Sequence, residues 1–368
     1  MGKSALRIGL DLEQSSIAAV QIKNNKESQV LTGAAVRALP EGLVFEGEVV
    51  DVDGLAAELK SFWKEAKLNG RRVNLGLANQ KIVVRTMEFP PIDASELRAA
   101  VAFQAQEHIP IPVDEAVLDY QVLATYNGED GAPRQKVLLV AAQKDMVRQF
   151  VEVAKKAGLS VEGIDLQAFA LSRALASKAS FLGDGESANG DGTVALANIG
   201  CGVTNLIVSA HGIPQFTRVI NIGSDTLLQS LMTHRGIDRA EADRLRVEVG
   251  LTGDGPDDTS VLTVETVAEI HQALDQASEA FADEIRRSVD YYHTQEHDGL
   301  ISKLVITGDG SLTRNIAAYL SQALHLPVET GNPLQEVGEN KSKLSEAELE
   351  AVAPRLTIAI GLALDDEE

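Results

Sequence analysis

Apolar and polar residues alternate at 6–12 and again at 17–23, which predicts two strands joined by a polar turn at 13–16. A third strand is expected near 30–38. Apolar residues at helical spacing from Leu55 to Ala66 predict a helix that stops near Asn69-Gly70, and strand patterns resume at 73–77 and 82–88. Pro90-Pro91 forces an extended break. After it, Asp93 or Ser95 caps a helix that carries Leu97, Val101, Ala105 and Ile109 on one face. That helix must end before Ile109-Pro110-Ile111-Pro112. Strands are expected at 117–126 and 136–142, a helix at 145–157 closed by Gly158, and a strand at 161–165. Residues 80–163 alternate strand and helix and read as a compact insertion.

Beyond a glycine-rich acidic linker at 183–192, the opening pattern recurs. Val194-Ala195-Leu196-Ala197-Asn198-Ile199-Gly200-Cys201-Gly202-Val203-Thr204-Asn205-Leu206-Ile207-Val208 is again strand, small-residue turn and strand. Superposing the two turns sets Asp11 on Asn198, with Ser15 and Ser16 in the first copy and Thr204 in the second just beyond. An acid beside a tight turn with small hydroxyls can hold a metal-bound phosphate on backbone N–H donors. Two such hairpins predict a duplicated fold with a nucleotide between its halves. A strand at 215–222 then enters Gly223-Ser224-Asp225 and a helix, and 252–260 is an acidic Gly/Pro loop. A long amphipathic helix at 264–292 carries Val267, Ile270, Leu274, Ala277, Phe281 and Ile285 on one side. The strand at 304–307 is turned by Gly308-Asp309-Gly310 into a helix at 312–324. Ser345 and Glu348 fit a capping box, and Pro354 predicts a kink or a new helix start.

Composition narrows the function more than the fold. A chain of 368 residues can bury more than one core, and 44% apolar with 4% aromatic residues makes those cores aliphatic. No window approaches the ~20 apolar residues that span a bilayer, and the chain enters a strand too early for a signal peptide. The lone Cys201 rules out an internal disulfide and suits a reducing cytosol. A net charge of −21 opposes non-specific nucleic-acid binding and adsorption to an anionic leaflet. Membrane association is therefore expected through a protein partner. A nucleotide site remains compatible with that charge, because it rests on local backbone dipoles.

The paired hairpins and the late strand–glycine turn–helix together resemble the actin-like ATPase superfamily. More narrowly, Ala99-Ala100-Val101-Ala102-Phe103-Gln104-Ala105-Gln106-Glu107-His108-Ile109-Pro110 resembles a helix of the PilM family of type IV pilus assembly proteins. In that family the helix ends in an acid, an aromatic or His, then Ile-Pro. Phe216-Thr217-Arg218-Val219-Ile220-Asn221-Ile222-Gly223 and Ile360-Gly361-Leu362-Ala363-Leu364 fit it too, so the likeness runs nearly end to end. It implies an α/β, duplicated actin-like (ribonuclease H-like) two-lobed fold with an inserted subdomain, as in FtsA. The implied first actin-like subdomain is 1–79 with 164–190 and the helix 345–364, and the insertion is 80–163. The second actin-like subdomain is 191–224 with 300–344, and 225–299 is helical on the nucleotide side.

The resemblance also implies partners and a site. The partner is the cytoplasmic N-terminal tail of a PilN-like inner-membrane protein, held in a groove between the first subdomain and the insertion. Phe89, Phe103, Ile109 and Pro110 are the contact candidates, and other pilus components are further partners. The chain would then sit in the cytoplasm, peripheral to the inner membrane. The nucleotide, ATP or ADP with Mg²⁺, would meet Asp11, Ser15, Ser16, Asn198, Gly200, Thr204, Asn205, Gly223, Arg246, Gly308 and Gly310, with Asp11 on the metal.

Several positions depart from the family pattern. Glu13 stands where Gly is usual, Ala18 where Lys is, Asn198 where Asp is, and Ser224 where a second Gly follows Gly223. Like charges about 4 Å apart cost ~4 kcal/mol at an effective dielectric near ~20, so Glu13 opposes phosphate. Ala18 removes a cation and Asn198 weakens Mg²⁺ coordination, while Arg246 keeps the charge of a family Lys. Weakened or regulatory nucleotide binding is expected, with a non-enzymatic role; the alternatives are an active actin-like ATPase and a scaffold of the GspL or FtsA kind. Plainer readings stand beside these. Gly308 and Gly310 also suit a simple strand end, Ser15 and Ser16 an ordinary turn, Cys201 a small buried group, and Ile-Pro-Ile-Pro a helix stop. His293-Thr294-Gln295-Glu296-His297 has the spacing of a zinc protease motif, but it lies at the polar end of a long helix with no third ligand downstream.

Overall fold

The computed structural model describes residues 5–24, 28–128, 130–175, 192–210, 213–253, 262–294 and 299–364. The chain opens with β1 (Ala5–Leu12), β2 (Ser16–Asn24) and β3 (Gln29–Ala38), followed by a small hairpin of β4 (Val44–Phe45) and β5 (Glu48–Val49). Next come α1 (Val52–Ala66), capped by the Asp51 carboxylate on Gly54 N–H, and β6 (Arg72–Leu77). A detour follows: β7 (Val83–Phe89), α2 (Ala94–His108), β8 (Ala116–Asn127) and β9 (Pro133–Gln143). The chain then returns through α3 (Lys144–Lys156), β10 (Ser160–Leu166) and α4 (Gln167–Leu175).

The later half begins with β11 (Thr193–Ile199), β12 (Thr204–Ala210) and β13 (Ile213–Ile220). Helices α5 (Ser224–Arg235), α6 (Arg239–Glu248) and the 31-residue α7 (Val264–Thr294) follow. The chain continues with β14 (Leu304–Thr307), α8 (Ile316–Leu324), β15 (Val328–Thr330), β16 (Glu339–Asn340) and α9 (Glu346–Ala363). The Ser345–Glu348 capping box forms as the sequence predicts, and α9 runs through Pro354 as one helix. The expected helix at 312–324 begins later: residues 309–312 make a 3-10 turn and Asn315 is left-handed before α8 starts.

Two sheets repeat one topology. The first runs β3-β2-β1-β6-β10, with β16 added beyond β3, and the second runs β13-β12-β11-β14-β15. In each, an antiparallel meander is followed by two parallel strands. Asp11 faces Ala18 across the first hairpin, and Asn198 faces Asn205 across the second. Helices α4 and α9 lie between the sheets and share one core with both: Val20, Ile22, Ala170, Leu171, Leu196, Ile207, Leu356 and Ile360 all belong to it. That continuous apolar core is what couples the lobes.

The insertion is smaller than the sequence pattern suggests. Its own sheet, β7-β9-β8, and its own core run from Val83 to Ala141. Helix α3 packs Met146, Phe150 and Val153 into the first lobe, and β10 pairs in parallel with β6. The periodicity of 145–165 is right, but periodicity alone does not say which core an apolar face joins. Likewise β16, inside the stretch allotted to the second lobe, pairs with β3 of the first. No helix among the described residues is long and apolar enough to cross a membrane. The linker at 183–191, residues 254–260 of the acidic loop, Gln295 to Asp298 of the His motif and the final acidic run lie outside the described residues.

Candidate functional site

The duplication brings the ends of β1 and β11 together, so the two hairpin turns face each other. Asp11 is 2% exposed, and its Oδ1 accepts a 2.7 Å hydrogen bond from Gln167 Nε2. Gln167, the first residue of α4, accepts in turn from Asn205 Nδ2 at 2.7 Å. This buried relay runs from the second lobe to the first. Burial, then the nearby charge of Glu13, pushes the Asp11 carboxyl well above its usual range, although the Gln167 bond opposes that.

Glu13 reaches across to the second turn. Its Oε1 accepts from Asn198 Nδ2 at 3.3 Å, and the carboxylate also accepts from the Cys201 backbone N–H. A Cβ placed on Gly200 would stand 3.0 and 3.1 Å from the two Glu13 oxygens, so glycine is what lets the side chain lie over the turn. The residue as a whole is partly covered, but its carboxyl is deep. Burial and the charge of Asp309 raise it to about 7, against the bonds from Asn198 and Cys201 and the charge of Arg355.

The other expected residues have local partners. Ser16 O accepts from Glu13 N–H and Ser15 O from Leu39 N–H, while Thr204 Oγ1 donates to Ile222 O at 2.7 Å. Gly223 N-caps α5 and packs on the backbone of Gly200 and Cys201. Gly308 has φ +85°, and a Cβ there would meet Asn198 Oδ1 and Ile199 O at 2.6 Å; Gly310 packs on Ile199. Arg246 is fully buried, bonded to Asp309 O at 2.8 Å, Thr313 Oγ1 at 3.0 Å, Asp309 Oδ2 at 3.1 Å and Asp243 at 2.5 Å. Burial works against ionisation of Asp309, but Arg246, Arg355 and the Ser224 hydroxyl outweigh it and hold the carboxyl low. The Cys201 thiol is buried and pushed up to about 11, and so is unreactive.

Sequence reasoning missed Gln167, Asp309 and Arg355 as organisers. Asp309 was visible only as a spacer between two glycines, and Gln167 as the one amide opening the apolar run Ala168-Phe169-Ala170-Leu171.

A cavity of about 20 Å³ lies on the first-lobe side of the turns, lined by Glu13, Gln14, Gly47, Ala78, Gln167 and Cys201 among others. Glu13 takes the Asn198 amide and the Cys201 N–H, two donors suited to a phosphate, and Asp11, the expected metal ligand, is bonded to Gln167 and tends to the neutral acid. A magnesium nucleotide would have to displace Glu13 from these donors. No group of three His, Cys, Asp or Glu side chains suited to a metal occurs among the described residues.

The four expected partner contacts divide. Phe89 (3% exposed) and Ile109 (8%) belong to the insertion's core, while Phe103 is 71% exposed on α2 and Pro110 is exposed beside it.

The family described as type IV pilus assembly protein PilM matches residues 9–367. Among solved structures, a PilM-PilN type IV pilus biogenesis complex superposes with a TM-score of 0.80, at 24% identity and 98% coverage of each chain. The ethanolamine utilization protein EutJ from Carboxydothermus hydrogenoformans gives a TM-score of 0.55 at 14% identity, covering 98% of this chain and 89% of that one. Cell division protein FtsA of Bacillus subtilis (strain 168) is 21% identical over 274 residues, or 68% of this chain, and the match spans 59% of FtsA. At these identities the solved structures speak for the fold. The family match covers both lobes and the insertion, and on that ground the chain belongs to the PilM family of type IV pilus assembly proteins.

Proposed function

We propose that this chain is a cytoplasmic adaptor of type IV pilus assembly that binds the extended N-terminal tail of a PilN-like inner-membrane protein and is held at the membrane by it. The family match, which includes the insertion, carries this reading. The tail lies in the groove between the first lobe and the insertion, with Phe103 and Pro110 as the exposed anchors on the insertion side. A large aromatic exposed on a helix face offers a partner an apolar anchor, and aromatic anchors dominate interfaces. Turnover of ATP plays no part in this function: phosphoryl transfer needs metal and cationic charge at the phosphates, and the cleft presents Glu13 instead.

The test is titration of the full chain with a synthetic peptide copied from the N-terminus of the membrane protein encoded beside it, with and without Mg-ATP. Binding is expected in both conditions, weakened about tenfold or more by Phe103→Ala, the loss of a buried aromatic anchor. No binding in either condition overturns the reading, and binding only with Mg-ATP overturns its nucleotide-independent form.

A further inference from the structure

Glu13 and Asn198 are two departures from the family pattern, and the structure joins them in one hydrogen bond. We propose that this pair is a built-in latch: the Glu13 carboxylate occupies the phosphate position and holds the two lobes closed without nucleotide. The inference concerns the cleft alone and stands whether or not the chain binds a membrane-protein tail.

The geometry supports it from both sides of the cleft. Glu13 takes the Cys201 N–H and the Asn198 amide, donors of the kind that cradle an anion at a turn. Its neighbour Gln14 lies over Gly202 with its side-chain oxygen, which also accepts from Glu46 N–H at 3.4 Å. The second lobe reaches back: Asn221 Nδ2 donates to Glu46 Oε2 at 2.9 Å, and Arg239 lies 3.6 Å from Glu41. Glycine at 200 and 202 leaves the room these side chains fill.

The two departures also need each other. With Asp at 198, two carboxylates would meet where Glu13 and Asn198 now bond, and one would have to be neutralised or expelled. With Gly at 13, the Cys201 N–H and the Asn198 amide would face open space. Either change alone breaks the latch, and the pair of changes restores the family's usual residues at these two positions. The latch therefore predicts strong coupling between positions 13 and 198.

The experiment uses the full chain and its Glu13→Gly, Glu13→Gln, Asn198→Asp and Glu13→Gly/Asn198→Asp variants. Amide hydrogen exchange at Cys201 and binding of a fluorescent Mg-ATP analogue are both measured. In the parent, Cys201 should be protected and the analogue should bind no better than millimolar, the range of weak non-specific contacts. Glu13→Gly and Asn198→Asp should each speed exchange at Cys201 by roughly tenfold or more, the loss of one hydrogen bond at that N–H. Glu13→Gln, which keeps an acceptor oxygen, should stay close to the parent. The double variant should bind the analogue about tenfold or more tighter than the parent. Unchanged exchange in both single variants, with folding verified by circular dichroism, overturns the latch. So does a parent that binds Mg-ATP as tightly as the double variant. Should Glu13→Gly not fold, the contrast of Glu13→Gln with Asn198→Asp decides alone, and equal exchange in those two counts against the latch.

Discussion

The two hairpin turns share a backbone and divide the chemistry between them. The first, between β1 and β2, projects its side chains outward: Glu13 and Gln14 cross the cleft while their own backbone is closed by the Glu13 N–H to Ser16 O bond. The second, between β11 and β12, projects almost nothing. It contributes glycine surfaces, the Cys201 backbone donor and the Asn198 amide, and it is braced from behind by α5, the 309–312 turn and Arg246. A duplicated loop thus becomes a donor half and a filler half through a handful of side-chain choices. The topology tolerates this because the lobes are joined by the core around α4 and α9, which does not depend on what lies between the turns.

That asymmetry can be broken hardest from behind the second turn. Arg246 has no exposed surface and ties Asp309 to Asp243 and Thr313. Arg246→Met would leave Asp309 buried with only Arg355 and Ser224 to compensate it. Removing one partner of a buried charge pair costs about 3–5 kcal/mol, so urea denaturation should show the midpoint of the second lobe falling sharply. Ser16→Ala in the first turn, where the side chain is partly exposed, should change stability by under ~0.5 kcal/mol. A loss below about 1 kcal/mol for Arg246→Met would mean that the bracing is incidental.

Much of this architecture is legible in the sequence, for physical reasons that also mark where legibility ends. The hairpins are readable because each strand alternates and each turn is built of small and polar residues. Ser345 and Glu348 are readable because a capping box is a local contact. What could not be read was allegiance between elements. Helix α3 has a clean apolar face, yet nothing local says that Phe150 joins Trp63 and Leu59 rather than the insertion's core. Phe89 and Ile109 lie beside a motif that reads as recognition, and both turn out to belong to the insertion's core. The site was half legible. Glu13, Ala18 and Asn198 stand out as departures, but the bond between the first and last depends on a side chain crossing 185 positions of chain.

A gentler break lies beneath the turns. Gln167 bridges Asp11 and Asn205, each at 2.7 Å, and both partners are buried. Gln167→Leu keeps the approximate size and removes both bonds. An orphaned buried polar group costs roughly 1–3 kcal/mol, and Asp11 can soften its share by staying protonated. We expect a loss of about 2 kcal/mol by urea denaturation, with Asp11→Leu, which removes the orphaned group, recovering part of it in the double variant. If the two changes were strictly additive, the relay would carry no energy of its own and the lobes would be joined by apolar packing alone.

The smallest effect separates the cleft's acids by sign. Asp309 is held below its usual value, so the stability it contributes is present above about pH 4 and is lost as pH falls through its folded value. Glu13 is raised to about 7, so between its unfolded value near 4.5 and that point the folded chain holds a proton that the unfolded chain has released. Stability must therefore decline as pH rises across that window, and Asp11, raised for the same first reason, adds to the decline. Allowing for Glu13's partial exposure, the fall should be about 1–2 kcal/mol. Glu13→Gln cannot release a proton there and also removes the charge that helps to raise Asp11, so its stability should be flatter than the parent's from pH 5 to pH 7 (approximate bounds set by the ordinary carboxyl range). Parallel pH profiles for the two proteins would show that the first turn's carboxylate is solvated after all, and the contrast between a filled and a filling turn would lose its electrostatic half.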